Sequence, residues 1–271
     1  MTRAPVLFVS HGAPTVALEQ DDYALALRAV GQRWPEPAAI AVVSAHFQTH
    51  RGVVFGSAAR NRVHHDFGGF PEPLYRLDYP ARGAPELALE AEALARAAGF
   101  RTQLDPGRTL DHGAWIPLRL GWPAAPVPVF EVSLPDASPA ELVTLGRALR
   151  PLRDRGVLLL ASGGVVHNLL RTRLDAAKDA PPEAWASGFD AWVGERLAAR
   201  DLPRLLRYRE EAPDAALAAP SSEHFDPLFV ALGAAHDDER VETFYDQFHY
   251  GTLGMRSFAL VPDAPAKEQR P

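Results

Sequence analysis

Three histidines in this chain directly follow short apolar runs. Ser10-His11-Gly12 closes residues 5–10, Ala45-His46 closes residues 39–44, and Ser162-Gly163-Gly164-Val165-Val166-His167-Asn168 closes residues 157–162. Runs of that length and composition read as buried strands. In open α/β sheets, ligands bind outside the carboxyl ends of the strands. Three imidazoles leaving one sheet edge can therefore converge on a point. Neutral imidazole suits iron, zinc, copper or nickel far better than magnesium or calcium. The competing reading makes each one an ordinary loop or capping residue, but the same placement after three buried runs argues for a shared site.

Three further segments have the same character. Thr109-Leu110-Asp111-His112-Gly113-Ala114-Trp115 and Pro220-Ser221-Ser222-Glu223-His224-Phe225 each precede a helical pattern, and Ser221 or Ser222 offers an N-cap for the second. Taken alone, both read as capping motifs beside a surface histidine. His64-His65-Asp66-Phe67-Gly68-Gly69-Phe70-Pro71 reads either as a pocket wall or as a turn packed by Phe67 and Phe70. The aromatic, glycine-rich stretch from Phe67 to Phe70 could form the flat wall that an aromatic ring needs. His50, His236 and His249 read as surface residues.

Strands are expected over residues 5–10, 39–44, 53–55, 127–133, 157–162 and 255–261. Pro128 argues that the fourth of these is an edge strand or begins there. Helices are expected over 21–34, 85–98, 139–150, 182–200, 204–212 and 225–235, the first burying Tyr23, Leu25, Leu27 and Val30. This alternation predicts a single α/β domain with a mostly parallel central sheet flanked by helices on both faces. With no internal repeat or composition break, residues 1–262 read as one catalytic domain and 263–271 as a frayed C-terminal tail. Residues 61–82 show no clear period, and a loop that long in a compact domain is usually functional.

Composition narrows the chemistry further. The 271 residues contain no cysteine, so thiolate nucleophiles, disulfides, iron–sulfur clusters and cysteine-type zinc sites are excluded, and any metal must be held by His, Asp or Glu. Lys plus Arg is 28 against 34 for Asp plus Glu, a net charge of -6, which argues against a nucleic-acid partner. No run approaches the roughly 18 apolar residues that cross a bilayer, and the first residues lack the features of a signal peptide. The expectation is a cytoplasmic protein with no membrane partner, a monomer or small homo-oligomer.

Taken in order, these segments resemble the class III extradiol aromatic ring-opening dioxygenases (the LigB-type superfamily), in the branch named for DOPA 4,5-dioxygenase extradiol. The matching stretches are Ser10-His11-Gly12-Ala13-Pro14, Ser44-Ala45-His46, His65-Asp66-Phe67-Gly68-Gly69-Phe70-Pro71 and Leu110-Asp111-His112-Gly113-Ala114-Trp115. They continue with Ser162-Gly163-Gly164-Val165-Val166-His167-Asn168-Leu169, Glu223-His224 and Gly251-Thr252-Leu253-Gly254-Met255. The ordered set spans nearly the whole chain.

The resemblance implies one mononuclear divalent metal, Fe(II) or Zn(II), that chelates a catechol through both hydroxyls and then binds O₂. It implies His11, His46 and His224 as metal ligands, with Glu223 as an alternative to His224. It gives His167 the position of an acid/base histidine or fourth ligand, and His112 that of an orienting or catalytic one. His65, Asp66 and Phe67 fall in the substrate-binding loop. The small-molecule partners are then a catechol, DOPA-like or otherwise substituted, and O₂. A zinc-dependent hydrolase, with Glu223, Asp66 or Asp111 as base, is the alternative enzyme reading. A non-enzymatic binding protein on the same fold is the other.

Overall fold

The structure, a computed structural model, describes residues 3–262, so the tail expected at 263–271 lies outside the described residues. The strands are β1 (Val6–Ser10), β2 (Ala39–Thr49), β3 (Val53–Gly56), β4 (Thr102–Asp105), β5 (Val129–Pro135), β6 (Val157–Gly163), β7 (Glu239–Tyr245), β8 (Phe248–His249), β9 (Leu253–Gly254) and β10 (Ser257–Pro262). The helices are α1 (Asp22–Arg33), α2 (Pro85–Ala97), α3 (His112–Gly121), α4 (Pro139–Leu149), α5 (Ala184–Ala198), α6 (Leu202–Leu205), α7 (Tyr208–Glu211), α8 (Ala215–Ala218) and α9 (Pro227–Ala234).

Eight strands form one sheet in the order β4-β3-β5-β2-β6-β1-β10-β7, and β8 pairs with β9 separately. The central strands β5, β2, β6 and β1 are parallel, so their carboxyl ends share an edge. Antiparallel pairings join β3 to β5, β10 to β1 and β7 to β10. The sheet is thus mostly parallel in its centre and mixed at its flanks. Alternate residues of each central strand feed opposite cores, as a pleated strand covered on both sides requires. Leu7, Val9, Ile40, Val42, Leu158 and Leu160 pack toward α1 and α3. Val6, Phe8, Ala41, Val43, Leu159 and Ala161 pack toward α2, α4, α5 and α9. Among the described residues no helix is long and apolar enough to cross a membrane.

Several elements differ from the sequence expectation. Helix α1 buries Tyr23, Ala24, Leu27 and Val30, while Leu25 is half exposed on the opposite side. The helix expected over 204–212 is broken into the one-turn pieces α6 and α7. Pro128 marks the start of β5, which lies inside the sheet and not at its edge. Strands β4 and β7 had no apolar alternation to announce them. Strand β7 is an edge strand that is only partly buried beyond its first residue; that residue, Glu239, is fully buried and forms a two-pronged ion pair with the equally buried Arg153. A buried carboxylate is tolerated where charge-assisted hydrogen bonds replace water. His249 is also buried, with its ring edge-on to Tyr23, so its reading as a surface residue was wrong.

Strand β2 runs five residues beyond the expected end. Its ladder with β5 breaks register between Val43 and Gln48: five residue steps on β2 span only the two from Val132 to Leu134 on β5. Such breaks re-aim side chains, and this one carries His46.

Candidate active site

At the carboxyl edge of the sheet, five imidazoles gather. His11 follows β1, His46 lies in the β2 register break, His112 opens α3, and His167 follows β6. His224 sits in the turn that leads into α9. The ring centroids of His11 lie 5.0 Å from His46, 5.2 Å from His224 and 5.4 Å from His112. His46 lies 4.9 Å from His224 and 3.9 Å from His112. His167 stacks flat on His224 at 3.5 Å. The ligand nitrogens of His11, His46 and His224 all lie within 4.8 Å of one another.

Local sequence explains why these elements approach so closely. Gly163 ends β6 against the backbone of the His224 turn, where a Cβ would sit 2.1 Å from the His224 carbonyl oxygen. The next amide, of Gly164, donates to that same oxygen at 2.7 Å. Gly113, second in α3, faces β2 with no room for a side chain: a Cβ would lie 2.6 Å from Ser44 Oγ and 3.0 Å from the His46 ring. The turn ahead of α9 is closed by the amides of Phe225 and Asp226 on the Ser222 carbonyl. Neither Ser221 nor Ser222 caps α9. Their hydroxyls bond Glu223 and Asp226 instead.

The hydrogen bonds behind the rings set their tautomers. Ser162 Oγ donates its one proton to the Gly113 carbonyl at 2.5 Å, because a carbonyl can only accept. Toward His11 Nδ1, 3.0 Å away, that oxygen must therefore accept, so Nδ1 carries the proton and Nε2 the lone pair. His224 Nδ1 meets Glu223 Oε1 at 3.2 Å. His112 donates both its backbone N–H and its Nδ1–H to the carboxylate of Asp66, at 2.9 and 3.0 Å. Second partners of this kind orient the rings of metal-ligating histidines.

The inward nitrogens fit a cation. His11 Nε2 and His46 Nε2 are 3.1 Å apart, close to the ~3.3 Å separation of two donors held 2.0–2.1 Å from one tetrahedral ion. His224 Nε2 is buried and finds no hydrogen-bond partner among the described residues, a costly condition for a polar atom unless something else satisfies it. Burial, reinforced by the other imidazoles, holds His11 well below the usual histidine range. Burial and the neighbouring His112 and His224 bring His46 to about 2, and burial with His224 brings His167 to about 3. Burial likewise lowers His224, against the pull of Glu223. These four rings are neutral at neutral pH, the state in which imidazole ligates a metal or accepts a proton. Burial pushes Asp66 upward, but the hydrogen bonds from His112 outweigh it and hold the carboxylate at about 2.

A buried ionic cluster that the sequence did not reveal supports the floor. Asp111 caps α3 through Ala114 N and also accepts from Ser44 Oγ at 2.6 Å and Arg108 at 2.6 Å. Arg108 also bonds Glu131 on β5 and stacks over Phe47 at 3.7 Å. Ser44 Oγ in turn accepts the His46 amide at 3.2 Å. This chain of bonds ties the strand carrying His46 to the helix carrying His112. Neither Arg108 nor Glu131 lies in a recognisable motif, so only their depth identifies them.

The loop of residues 61–82 supplies the remaining wall. Phe67 stands edge-on to His112, with centroids 5.7 Å apart, and Phe70 and Tyr75 extend the aromatic surface. His65 is not part of the histidine cluster. Its Nε2 bonds the Leu77 carbonyl and its ring packs among Phe67, Tyr75 and Trp115, so it supports Phe67 from behind.

Comparison with known proteins agrees with this architecture. The family model described as the catalytic LigB subunit of aromatic ring-opening dioxygenase matches residues 5–261. The chain is 36% identical over 259 residues to a 4,5-DOPA dioxygenase extradiol of Beta vulgaris, covering 93% of this chain and 94% of that protein. It is also 36% identical over 264 residues to the 4,5-DOPA dioxygenase extradiol of Escherichia coli K12, covering 96% and 95%. The crystal structure of an uncharacterized protein from Escherichia coli K12 superposes with a TM-score of 0.79 at 30% identity, covering 96% of this chain and all of the other. The chain therefore belongs to the LigB family of aromatic ring-opening dioxygenases, in its 4,5-DOPA dioxygenase extradiol branch, and is an extradiol dioxygenase.

Proposed function

We propose that the protein, with residues 1–262 as its catalytic domain, opens the ring of a catechol with O₂ at one divalent metal held by His11, His46 and His224. The observation that carries this reading is the buried, unpartnered Nε2 of His224, facing a cluster in which His11 Nε2 and His46 Nε2 lie 3.1 Å apart. When bound, the metal would acidify a chelated catechol hydroxyl and, as Fe(II) but not redox-silent Zn(II), pass electron density toward O₂.

The remaining work falls to the chain itself. His167 is neutral and lies against His224, placed to accept a proton from a catechol hydroxyl and to return it later as a general acid. His112, with Nδ1–H committed to Asp66, keeps Nε2 free as a second polar contact for the substrate. Phe67 offers its ring as an apolar wall. A hydrolase would need a free carboxylate base, and here Asp66 and Glu223 are each bonded to an imidazole while Asp111 is bonded to Ser44 and Arg108.

The test is to strip the protein of metal, load it anaerobically with Fe(II), and follow oxygen uptake with DOPA and with unsubstituted catechol as probes. One O₂ consumed per catechol lost is the expected result. No uptake with either probe overturns the reading.

A further inference from the structure

Three neutral imidazoles give a metal site no negative charge, yet one of the three is not left neutral from behind. The outer nitrogens of the proposed ligands have different partners. His11 Nδ1 meets the uncharged Ser162 hydroxyl at 3.0 Å. The nearest carboxylate oxygen to His46 Nδ1 is Asp66 Oδ2 at 3.9 Å, beyond hydrogen-bond reach. Only His224 Nδ1 meets a carboxylate directly, Glu223 Oε1 at 3.2 Å. The same His224 ring carries the orphaned, buried Nε2.

Resting on the metal-site reading above, we propose that Glu223 is a positioning residue of the metal centre: its carboxylate grips His224 Nδ1–H, turns the Nε2 lone pair inward, and supplies the anionic charge that the three imidazoles lack.

The local structure is built for this. The tight turn on the Ser222 carbonyl folds Glu223 back onto His224. Ser221 Oγ donates to the same Glu223 Oε1 at 2.7 Å and fixes the carboxylate. His167 covers the flat face of the His224 ring, and the Gly163-Gly164 backbone holds its carbonyl. The ring is thus held at its face, at its backbone and at Nδ1, leaving Nε2 as its one free polar atom. A carboxylate bonded to the outer nitrogen raises the basicity of a ligating imidazole, and loss of such a partner typically costs metal affinity about 10- to 100-fold.

The experiment is a titration of the metal-free protein with Zn(II) against a chromophoric chelator, with Co(II) absorption as a second readout. Neither needs turnover. Wild type should bind one equivalent. Glu223→Gln, which keeps an oxygen acceptor and removes the charge, should bind one equivalent about 10- to 100-fold more weakly, with the Co(II) band pattern preserved. Glu223→Asp should recover part of the loss. Equal affinity in wild type and Glu223→Gln would overturn the proposal, leaving the carboxylate a turn-closing group. A Co(II) spectrum in Glu223→Gln that reports a lost ligand would also overturn it, because Glu223 would then bind the metal itself. A wild-type protein that takes up no metal would instead overturn the metal-site reading on which the proposal stands.

Discussion

One carboxylate, that of Asp66, accepts both hydrogens that His112 offers: its backbone N–H at 2.9 Å and its ring Nδ1–H at 3.0 Å. The first bond helps to satisfy the start of α3, and the second fixes the tautomer of the ring. Asp66 belongs to the long loop and His112 to a helix, so the pair also pins the aromatic wall to the sheet edge. Asp66→Asn keeps one acceptor oxygen and cannot accept both bonds with a full charge. We expect its turnover to fall by about 10- to 100-fold with metal content unchanged. Metal analysis and steady-state kinetics on one preparation check this, and loss of metal would show that Asp66 supports the ligands instead.

His46 and His167 should separate by role. His46→Ala removes a donor 3.1 Å from His11 Nε2 and should lose nearly all metal. His167→Ala should retain metal and still bind catechol, while turnover falls by about 10²- to 10⁴-fold, the usual contribution of a general acid or base. If metal leaves with His167, the proton must be handled elsewhere, and His112 is the remaining candidate.

Metal identity should decide oxygen chemistry. Protein loaded with Fe(II) should consume O₂ in the presence of a catechol, whereas protein loaded with Zn(II) should bind the catechol without oxygen uptake. Oxygen-electrode traces of the two reconstituted forms, each with measured metal content, make the comparison. Equal ring opening with zinc would contradict the mechanism.

Acid should destabilise the metal-free protein. His46 at about 2, His167 at about 3 and His249 at about 4 all lie below the ordinary histidine value of 6.5, with burial the main cause. The unfolded chain therefore binds protons that the folded chain refuses. The stability from these groups is fully present above pH 6.5 and is lost as pH falls toward 4 and below. Each contributes a slope of about 1.4 kcal/mol per pH unit while only the unfolded state is protonated. His249 lies apart from the metal ligands, its Nδ1 without a partner among the described residues. His249→Phe should therefore flatten the loss between pH 6 and 4.5 by about 1 kcal/mol per pH unit. Urea unfolding at a series of pH values measures it, and an unchanged slope would remove His249 from the account.

Gly163 should tolerate no side chain. A methyl group there would lie 2.1 Å from the His224 carbonyl oxygen, so Gly163→Ala must push the turn carrying His224 away from β6. Overpacking of this kind costs about 1–3 kcal/mol. We expect a lower melting temperature together with weaker Zn(II) binding. Normal binding in a destabilised protein would show that the turn repositions without moving the ring.

The central strands and the histidines that leave them are legible in the order of the amino acids. Residues 5–10, 39–44 and 157–162 are apolar up to a closing serine, and a strand buried on both faces needs no further signal. Runs that end in Ser-His, Ala-His and Ser-Gly-Gly place polar chemistry at one sheet edge once the strands are parallel. The family resemblance ordered the remaining motifs along the chain. How these groups act together depends on the folded chain. The register break that carries His46, the Ser162 bond that sets the His11 tautomer, and the inclusion of His112 in the cluster all depend on segments far apart in sequence packing together. The same holds where sequence reading failed. Glu239, Arg153 and Glu131 are buried charged residues, and Arg108 is partly buried, with partners 23 to 86 positions away, and His249 is packed by the rings of Tyr23 and Tyr245. Local pattern reports whether a residue prefers water. Whether water is replaced by a partner is a property of the folded chain alone.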